Sequence, residues 1–269
     1  MENGRAGKVK KKKKEAEDME QELLQEIVSY WGTRAEGYSE VNEKELAGSQ
    51  REAWLHVLEE QFPEKKKEEM KILDIGTGPG FFPMILSEAG YTVTAVDYTE
   101  EMLEKAKENL GKYTKYGLER VTLQRMDAQN LEFADETFDV VISRNLTWTL
   151  PDAGRAYEEW CRVLKKGGLL LNFDANYGAY DATDTASLPE QHSHNMLGME
   201  MLKENEDIKK QLPISSYIRP AWDVETLGKL GIQELSLDLG VGKRIYVEKD
   251  EFYNPAPIFT LCGKKEGSE

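Results

Sequence analysis

Three glycines on alternate positions, Gly76-Thr77-Gly78-Pro79-Gly80, follow the apolar run Ile72-Leu73-Asp74-Ile75. Glycine there lets a ligand lie against bare backbone and permits the positive φ of a tight turn. Asp97 ends a second apolar run, 21 residues after Gly76. An acid at that place can hold both ribose hydroxyls of an adenosine ligand. Asp127, followed by Ala128, closes a third run and is suited to an adenine amino group, while Asp74 stands beside the glycines. A single strand-end acid is often a turn or cap residue, but three at the carboxyl ends of consecutive strands point to one shared ligand. A dinucleotide fingerprint needs G-x-G-x-x-G. Here Phe81 takes the place of the third glycine, so a ligand without pyrophosphate fits better than a nicotinamide. Further along, Asp174 is the best general-base candidate. His192 and His194 could also supply a base; no cysteine or acid cluster completes a metal set with them.

The elements that must carry these residues alternate. Lys71–Ile75, Tyr91–Asp97, Val121–Arg125, Phe138–Ser143 and Leu169–Phe173 read as strands. Helices are expected through about Ala89, over Glu100–Leu110 and over Asp152–Leu164. This order predicts an α/β fold of Rossmann-like, doubly wound type: a seven-stranded sheet, mostly parallel, with an antiparallel closing strand. Ile232–Leu239 and Pro257–Cys262 are the closing strands. Ahead of the sheet, helical spacing predicts a cap over 17–64, with helices at about 17–31 and 43–61 and a break near Gly32 and Gly37. Residues 65–269 form the catalytic domain, with 175–219 inserted as a lid, too long for a plain connection.

Charge narrows the partners. Fifty acids against 35 bases give −15. Residues 1–14 hold seven bases and one acid, so the remaining 255 residues carry −21. Residues 1–16 read as a disordered basic tail. So acidic a body disfavours nucleic acid. No apolar stretch is long enough to span a membrane, no signal core opens the chain, and two distant cysteines fit a reducing cytoplasm.

Taken together, Leu73-Asp-Ile-Gly-Thr-Gly-Pro-Gly80, Val96-Asp-Tyr-Thr-Glu-Glu-Met-Leu103, Met126-Asp-Ala-Gln-Asn-Leu131, Phe138-Asp-Val-Val-Ile-Ser143 and Val163-Leu-Lys-Lys-Gly-Gly168 resemble the class I S-adenosylmethionine-dependent methyltransferases. The style is that of the small-molecule branch that includes the ubiquinone and menaquinone methyltransferases. The resemblance covers about residues 70–174. It implies S-adenosyl-L-methionine as cofactor, with S-adenosyl-L-homocysteine as product. Gly76, Thr77, Gly78 and Gly80 would shape the cofactor wall, and Asp74 would steady that loop or the methionine amino group. Asp97 would take the ribose, Tyr98 and Met102 would line the adenine, and Asp127 and Ala128 would read its edge. Ser143 and Arg144 would border the methionine portion. Tyr30, Arg34 and Tyr38 would cover the cofactor, with Arg34 pairing its carboxylate.

The implied activity is methyl transfer to a small-molecule acceptor by in-line displacement. Asn145, Trp148, Tyr177 and Tyr180 are the candidate acceptor residues. Arg144-Asn-Leu-Thr147 follows the fourth strand where some amine-modifying relatives carry Asn/Asp-Pro-Pro-aromatic, which disfavours a nucleobase amine. The alternatives are an RNA or protein methyltransferase, and a protein that binds S-adenosylmethionine without turnover.

Overall fold

The computed structural model describes residues 2–186, 188–248 and 250–267, with side chains described except at 2–13 and 15–17. Its centre is one sheet whose strands lie in the order β3-β2-β1-β4-β5-β7-β6. These are β1 (Lys71–Ile75), β2 (Thr92–Asp97), β3 (Val121–Arg125), β4 (Phe138–Arg144), β5 (Leu164–Ala175), β6 (Ile232–Asp238) and β7 (Ile258–Lys265). Six strands run parallel, and β7 is antiparallel to both neighbours, β5 and β6. The order reverses between β1 and β4, and that switch point opens a crevice beyond the carboxyl ends of the strands.

The helices are α1 (Glu2–Ala47), α2 (Gln50–Glu59), α3 (Phe81–Glu88), α4 (Glu100–Tyr113), α5 (Gly117–Arg120), α6 (Ala153–Val163), α7 (Ser193–Met196), α8 (Met199–Gln211), α9 (Ala221–Lys229) and α10 (Val241–Ile245). Successive strand residues face opposite layers. Ile72, Val140, Leu171 and Phe173 pack with Trp54 of α2, Phe82 of α3 and Ile245 of α10. Leu73, Ile75, Val141 and Leu170 pack on the other face with Tyr157 and Trp160 of α6, Leu227 of α9 and Ile208 of α8. The central strands β1, β4 and β5 read as near-continuous apolar runs because both of their faces are covered. Among the described residues no helix is long and apolar enough to cross a membrane.

The amino-terminal region departs from expectation. Helix α1 runs unbroken through Gly32 and Gly37 to Ala47. A glycine inside a helix costs about 1 kcal/mol, and here tertiary packing outweighs it. Ile27 and Tyr30 are buried against the sheet layer with Trp31 alongside. A Cβ at Gly32 would stand 3.0 Å from the Glu101 carboxylate. The backbone of residues 2–16, expected as a disordered tail, is drawn into the same helix, in keeping with the good helix propensity of lysine, glutamate and alanine. The expected lid contains α7 and α8. Within it, Lys209 pairs with Glu206 at 2.6 Å and donates to the Tyr180 carbonyl. Asn205 fastens α8 to α1 through the Tyr30 hydroxyl at 2.8 Å.

Candidate active site

The glycine turn after β1 is left-handed at Gly76, Gly78 and Gly80, with φ of 69°, 53° and 88°. Each of the three glycines meets a different neighbour. A Cβ at Gly78 would have Tyr38 Cε1 as its nearest atom, at 3.7 Å, so that backbone is left bare. At Gly76 a Cβ would fall 2.7 Å from the Leu146 side chain, and at Gly80 it would press on Ala106 of α4 at 3.2 Å. Gly80 therefore serves helix packing and does not line the crevice, a correction to its expected place on the wall.

Asp97 ties the turn to the start of α4. Its Oδ2 accepts from Gly78 N at 2.8 Å and its Oδ1 from Thr99 N at 2.9 Å. A carboxylate offers about four lone-pair sites, so each oxygen keeps acceptor capacity toward the crevice. Burial raises the Asp97 pKa against the pull of these amides. Asp127 accepts from Gln129 N at 2.8 Å, and Trp160 Nε1 donates to the Ala128 carbonyl at 3.0 Å. Asp97, Asp127, Ala128, Tyr98 and Met102 all line one cavity of about 90 Å³, together with Gly76 and Gly78. Carboxylates, bare glycine backbone and an apolar thioether together suit an adenosine ligand.

Beside it lies a second cavity of about 200 Å³. Trp31, Tyr38, Arg144 and Asn145 line both. Asn145 is held at φ 55°, rare outside glycine, as β4 ends. Its backbone N–H donates to the Phe173 carbonyl at 2.8 Å, and its Oδ1 accepts from the Tyr177 hydroxyl at 3.1 Å. Trp148 stands 4.7 Å from the Tyr177 ring and 6.3 Å from Trp31, which gives the second cavity an aromatic wall. Tyr177, Tyr180, His192 and His194 line it as well.

Arg144 is the hub between the cavities. Its Nη2 reaches Glu45 Oε2 at 2.8 Å and the Tyr246 hydroxyl at 3.0 Å. Glu45 also accepts from Trp54 Nε1 at 2.9 Å and Tyr246 at 2.6 Å. The guanidinium lies 3.9 Å from the Phe81 ring centroid. The sequence marked Arg144 but neither Glu45 nor Tyr246, since nothing local distinguishes one acid in a charged stretch or one tyrosine in a loop.

Several expected site residues lie elsewhere. Asp174 is fully buried and lines neither cavity. Its oxygens accept from Trp148 N at 3.0 Å, Ala175 N at 2.8 Å and Arg219 Nη1 at 3.1 Å. Burial pushes its pKa up, opposed by Arg219. It is sealed from any acceptor and instead fixes the backbone that presents Trp148, so the general-base reading of Asp174 is corrected. Ser143 is buried too and donates to the Ile75 carbonyl at 2.9 Å, stitching β4 to β1. Tyr30 sits behind the cavities, accepting from Arg34 Nη1 at 2.8 Å. Arg34 lines the larger cavity and not the smaller one, away from its expected place over the cofactor. Thr77 and Asp74 are buried under the turn and line neither cavity.

Burial raises the Asp74 pKa from 3.8 to about 7, with the Asp97 carboxylate adding to the rise. The folded chain therefore holds the Asp74 proton more tightly than the unfolded one. That stabilisation is complete below pH 3.8 and is lost as pH rises through about 7. Asp74→Asn cannot ionise. Its stability relative to the original chain should climb between about pH 4 and pH 8 in urea denaturation. A difference that stays flat across that range would remove Asp74 as the titrating group.

Comparison with known proteins then fixes the domain. Residues 73–172 match the family model described as "Methyltransferase domain". Residues 73–172 are a methyltransferase domain. The chain is similar to "Phosphatidylethanolamine N-methyltransferase" of Cereibacter sphaeroides, 39% identical over 120 residues that make up 43% of this chain and 57% of that one. It is also similar to "Demethylmenaquinone methyltransferase" of Staphylococcus aureus, 39% identical over 105 residues, 38% of this chain and 42% of that one. The chain thus spans about half the length of these curated relatives. Among solved structures, a proposed S-adenosyl-L-methionine-dependent methyltransferase of Methanococcus maripaludis superposes with a TM-score of 0.59 at 20% identity, covering 88% of this chain and 94% of that one. Phosphoethanolamine N-methyltransferase 2 of Haemonchus contortus, solved with S-adenosyl-L-methionine, gives 0.53 at 22% identity, covering 79% and 52%. These two likenesses show the fold. The cofactor of the methyltransferase domain is S-adenosylmethionine, and the smaller cavity, with its bare Gly78 and two inward acids, has residues that fit it.

Proposed function

We propose that this chain methylates a small-molecule acceptor held in the larger cavity. The observation that carries the reading is the meeting of the two cavities at Trp31, Tyr38, Arg144 and Asn145. Asp97 and Asp127 would hold the adenosine portion, with Tyr98 and Met102 against the base. S-adenosylmethionine supplies, when bound, a methyl group already activated by its sulfonium. The chain's own residues then have to orient the acceptor, exclude water and receive a proton. Asn145, Trp148, Tyr177 and Tyr180 orient the acceptor and supply the aromatic wall. Residues 17–64 act as a cap and 175–219 as a lid, and together they shield the junction. With the cofactor bound, the acceptor's nucleophilic atom would take the methyl carbon and the sulfur would leave as a neutral thioether. A nucleophile that carries a proton gives it up, and His194 on the cavity wall is placed to take it. Burial, with His192 and Arg34 nearby, lowers its pKa to about 4, so its imidazole is free to accept.

The small size of the acceptor is supported by the aromatic wall of the larger cavity and by the acidic body of the chain. It is also supported by relatives named for phosphatidylethanolamine and demethylmenaquinone. The test is methyl transfer from radiolabelled S-adenosylmethionine into a metabolite extract, total RNA and total protein in parallel. Label should enter the small-molecule fraction. Label confined to RNA or protein would overturn the acceptor class. Tight binding of S-adenosylhomocysteine with no label anywhere would mark a binding protein without turnover.

A further inference from the structure

The larger cavity contains one cation whose charge no acid of this chain offsets among the described residues. Each acid on its wall already has donors. Glu45 is held by Arg144, and Glu251 pairs with Lys44 at 3.3 Å. Asp181 accepts from Thr183 N at 2.8 Å and Asp184 from Ala186 N at 3.2 Å, both in exposed turns at the rim. The other wall cations, Arg144 and Lys209, are paired with Glu45 and Glu206. Arg34 is different. It is 8% exposed, and its one hydrogen bond among the described residues is from Nη1 to the neutral Tyr30 hydroxyl. Its guanidinium stands 5.8 Å from the Tyr30 ring centroid and 5.9 Å from that of Trp31. Asn205 donates to the same hydroxyl from the other side, so two elements clamp the tyrosine that positions the arginine. A guanidinium has five N–H donors in a fork that matches carboxylate or phosphate oxygens. Desolvating such a charge without a counter-ion is costly, and a ligand's anion would offset that cost.

We propose that the methyl acceptor carries an anionic group, a carboxylate or a phosphate, that seats on Arg34 beside His194 and Asn205. The inference rests on the methyltransferase reading above and adds the charge of the acceptor. Arg34 would thereby set specificity, seating the anion beside Trp31 and so fixing where the nucleophile stands relative to the junction. An anion on Arg34 also removes the positive field that helps to hold the His194 imidazole unprotonated. Acceptor binding would thus strengthen the group placed to take the proton.

The experiment is calorimetry on the full chain. S-adenosylhomocysteine is titrated first, then inorganic phosphate or benzoate is titrated into the saturated protein. One of the two anions should bind, and which one identifies the group. Arg34→Gln should weaken that anion by roughly tenfold to a hundredfold, the effect of losing a charge-assisted bidentate contact. S-adenosylhomocysteine affinity should stay within about twofold, because Arg34 lines the acceptor cavity only. Binding of neither anion, or equal binding to Arg34→Gln, overturns the proposal. So does a loss of S-adenosylhomocysteine affinity with anion binding intact, which would move Arg34 to the cofactor carboxylate. Failure of the original chain to bind S-adenosylhomocysteine would bring down the methyltransferase reading and this inference with it. Should Arg34→Gln not fold, Tyr30→Phe and Arg34→Lys serve in its place. Each should weaken the anion severalfold without touching S-adenosylhomocysteine, and unchanged anion affinity in both overturns the proposal.

Discussion

Arg219→Ala should lower folding stability by about 3–5 kcal/mol, the penalty for removing one partner of a buried ion network. Arg219 is 1% exposed at its side chain, and Asp174 and Asp223 are at 0%. Its Nη1 reaches Asp174 Oδ2 at 3.1 Å, its Nη2 reaches Asp223 Oδ1 at 2.8 Å, and Nε reaches Asp223 Oδ2 at 3.0 Å. The Tyr157 hydroxyl adds a 2.7 Å bond to Asp223 and receives one from Asn172 at 2.8 Å. Deleting the guanidinium leaves two carboxylates desolvated with no cation. Adding Asp174→Asn and Asp223→Asn to the Arg219→Ala chain should recover part of the loss, because a neutral amide costs less to bury than an unpaired charge. Denaturant midpoints check both steps, and a midpoint unmoved in Arg219→Ala would sink the account. The same network separates two readings of Asp174. A general base replaced by Asn should reduce turnover by about 10²–10⁴ with the fold intact. The burial of Asp174 predicts the opposite balance for Asp174→Asn: a loss in stability and a smaller loss in turnover, through a loosened Trp148.

That contrast shows what a sequence can and cannot reveal here. Asp97, Asp127 and Asp174 look alike as text, each an acid at or just past the end of a strand. The first two keep cavity-facing positions. Asp174 is covered by Arg219, 45 residues away, and no local pattern announces a partner at that separation. The Arg144–Glu45 pair spans 99 residues and is invisible to any local pattern for the same reason. Strands are legible because apolar runs, as in β1, and β-branched alternation, as in Val121-Thr-Leu, are local facts. Lys71–Ile75 and Val121–Arg125 match the observed bounds, and the expected antiparallel closing strands pair as β6 and β7. The continuous first helix was not foreseen, because glycine's local preference for a break at residues 32 and 37 competes with burial of Ile27 and Tyr30 supplied by distant elements. Trp31 counted only as part of an apolar face, yet it borders both cavities. Amphipathic spacing says that a side chain is inside, not what lies beside it.

Asp97→Ala should weaken S-adenosylhomocysteine by about 1.5–3 kcal/mol, or roughly tenfold to a hundredfold in Kd. Two effects combine in that figure. The ligand loses a charged acceptor, and the turn loses the carboxylate that joins Gly78 N to Thr99 N. Asp97→Asn separates them. Its carbonyl can still accept from one amide but carries no charge, so its affinity should fall between the other two chains. Folding stability should respond differently from the Arg219 case. Burial already raises the Asp97 pKa in the free chain, which means that its charge is held there against a desolvation cost, and it has no cation whose removal would strand it. The loss in Asp97→Ala should therefore appear in ligand affinity, with a denaturant midpoint that moves far less than that of Arg219→Ala. Calorimetry beside urea denaturation reads both. An unchanged Kd would remove Asp97 from the site. A large midpoint loss accompanying the weakened binding would mean that the carboxylate acts chiefly as scaffold for the glycine turn, and that the adenosine is gripped elsewhere along the crevice.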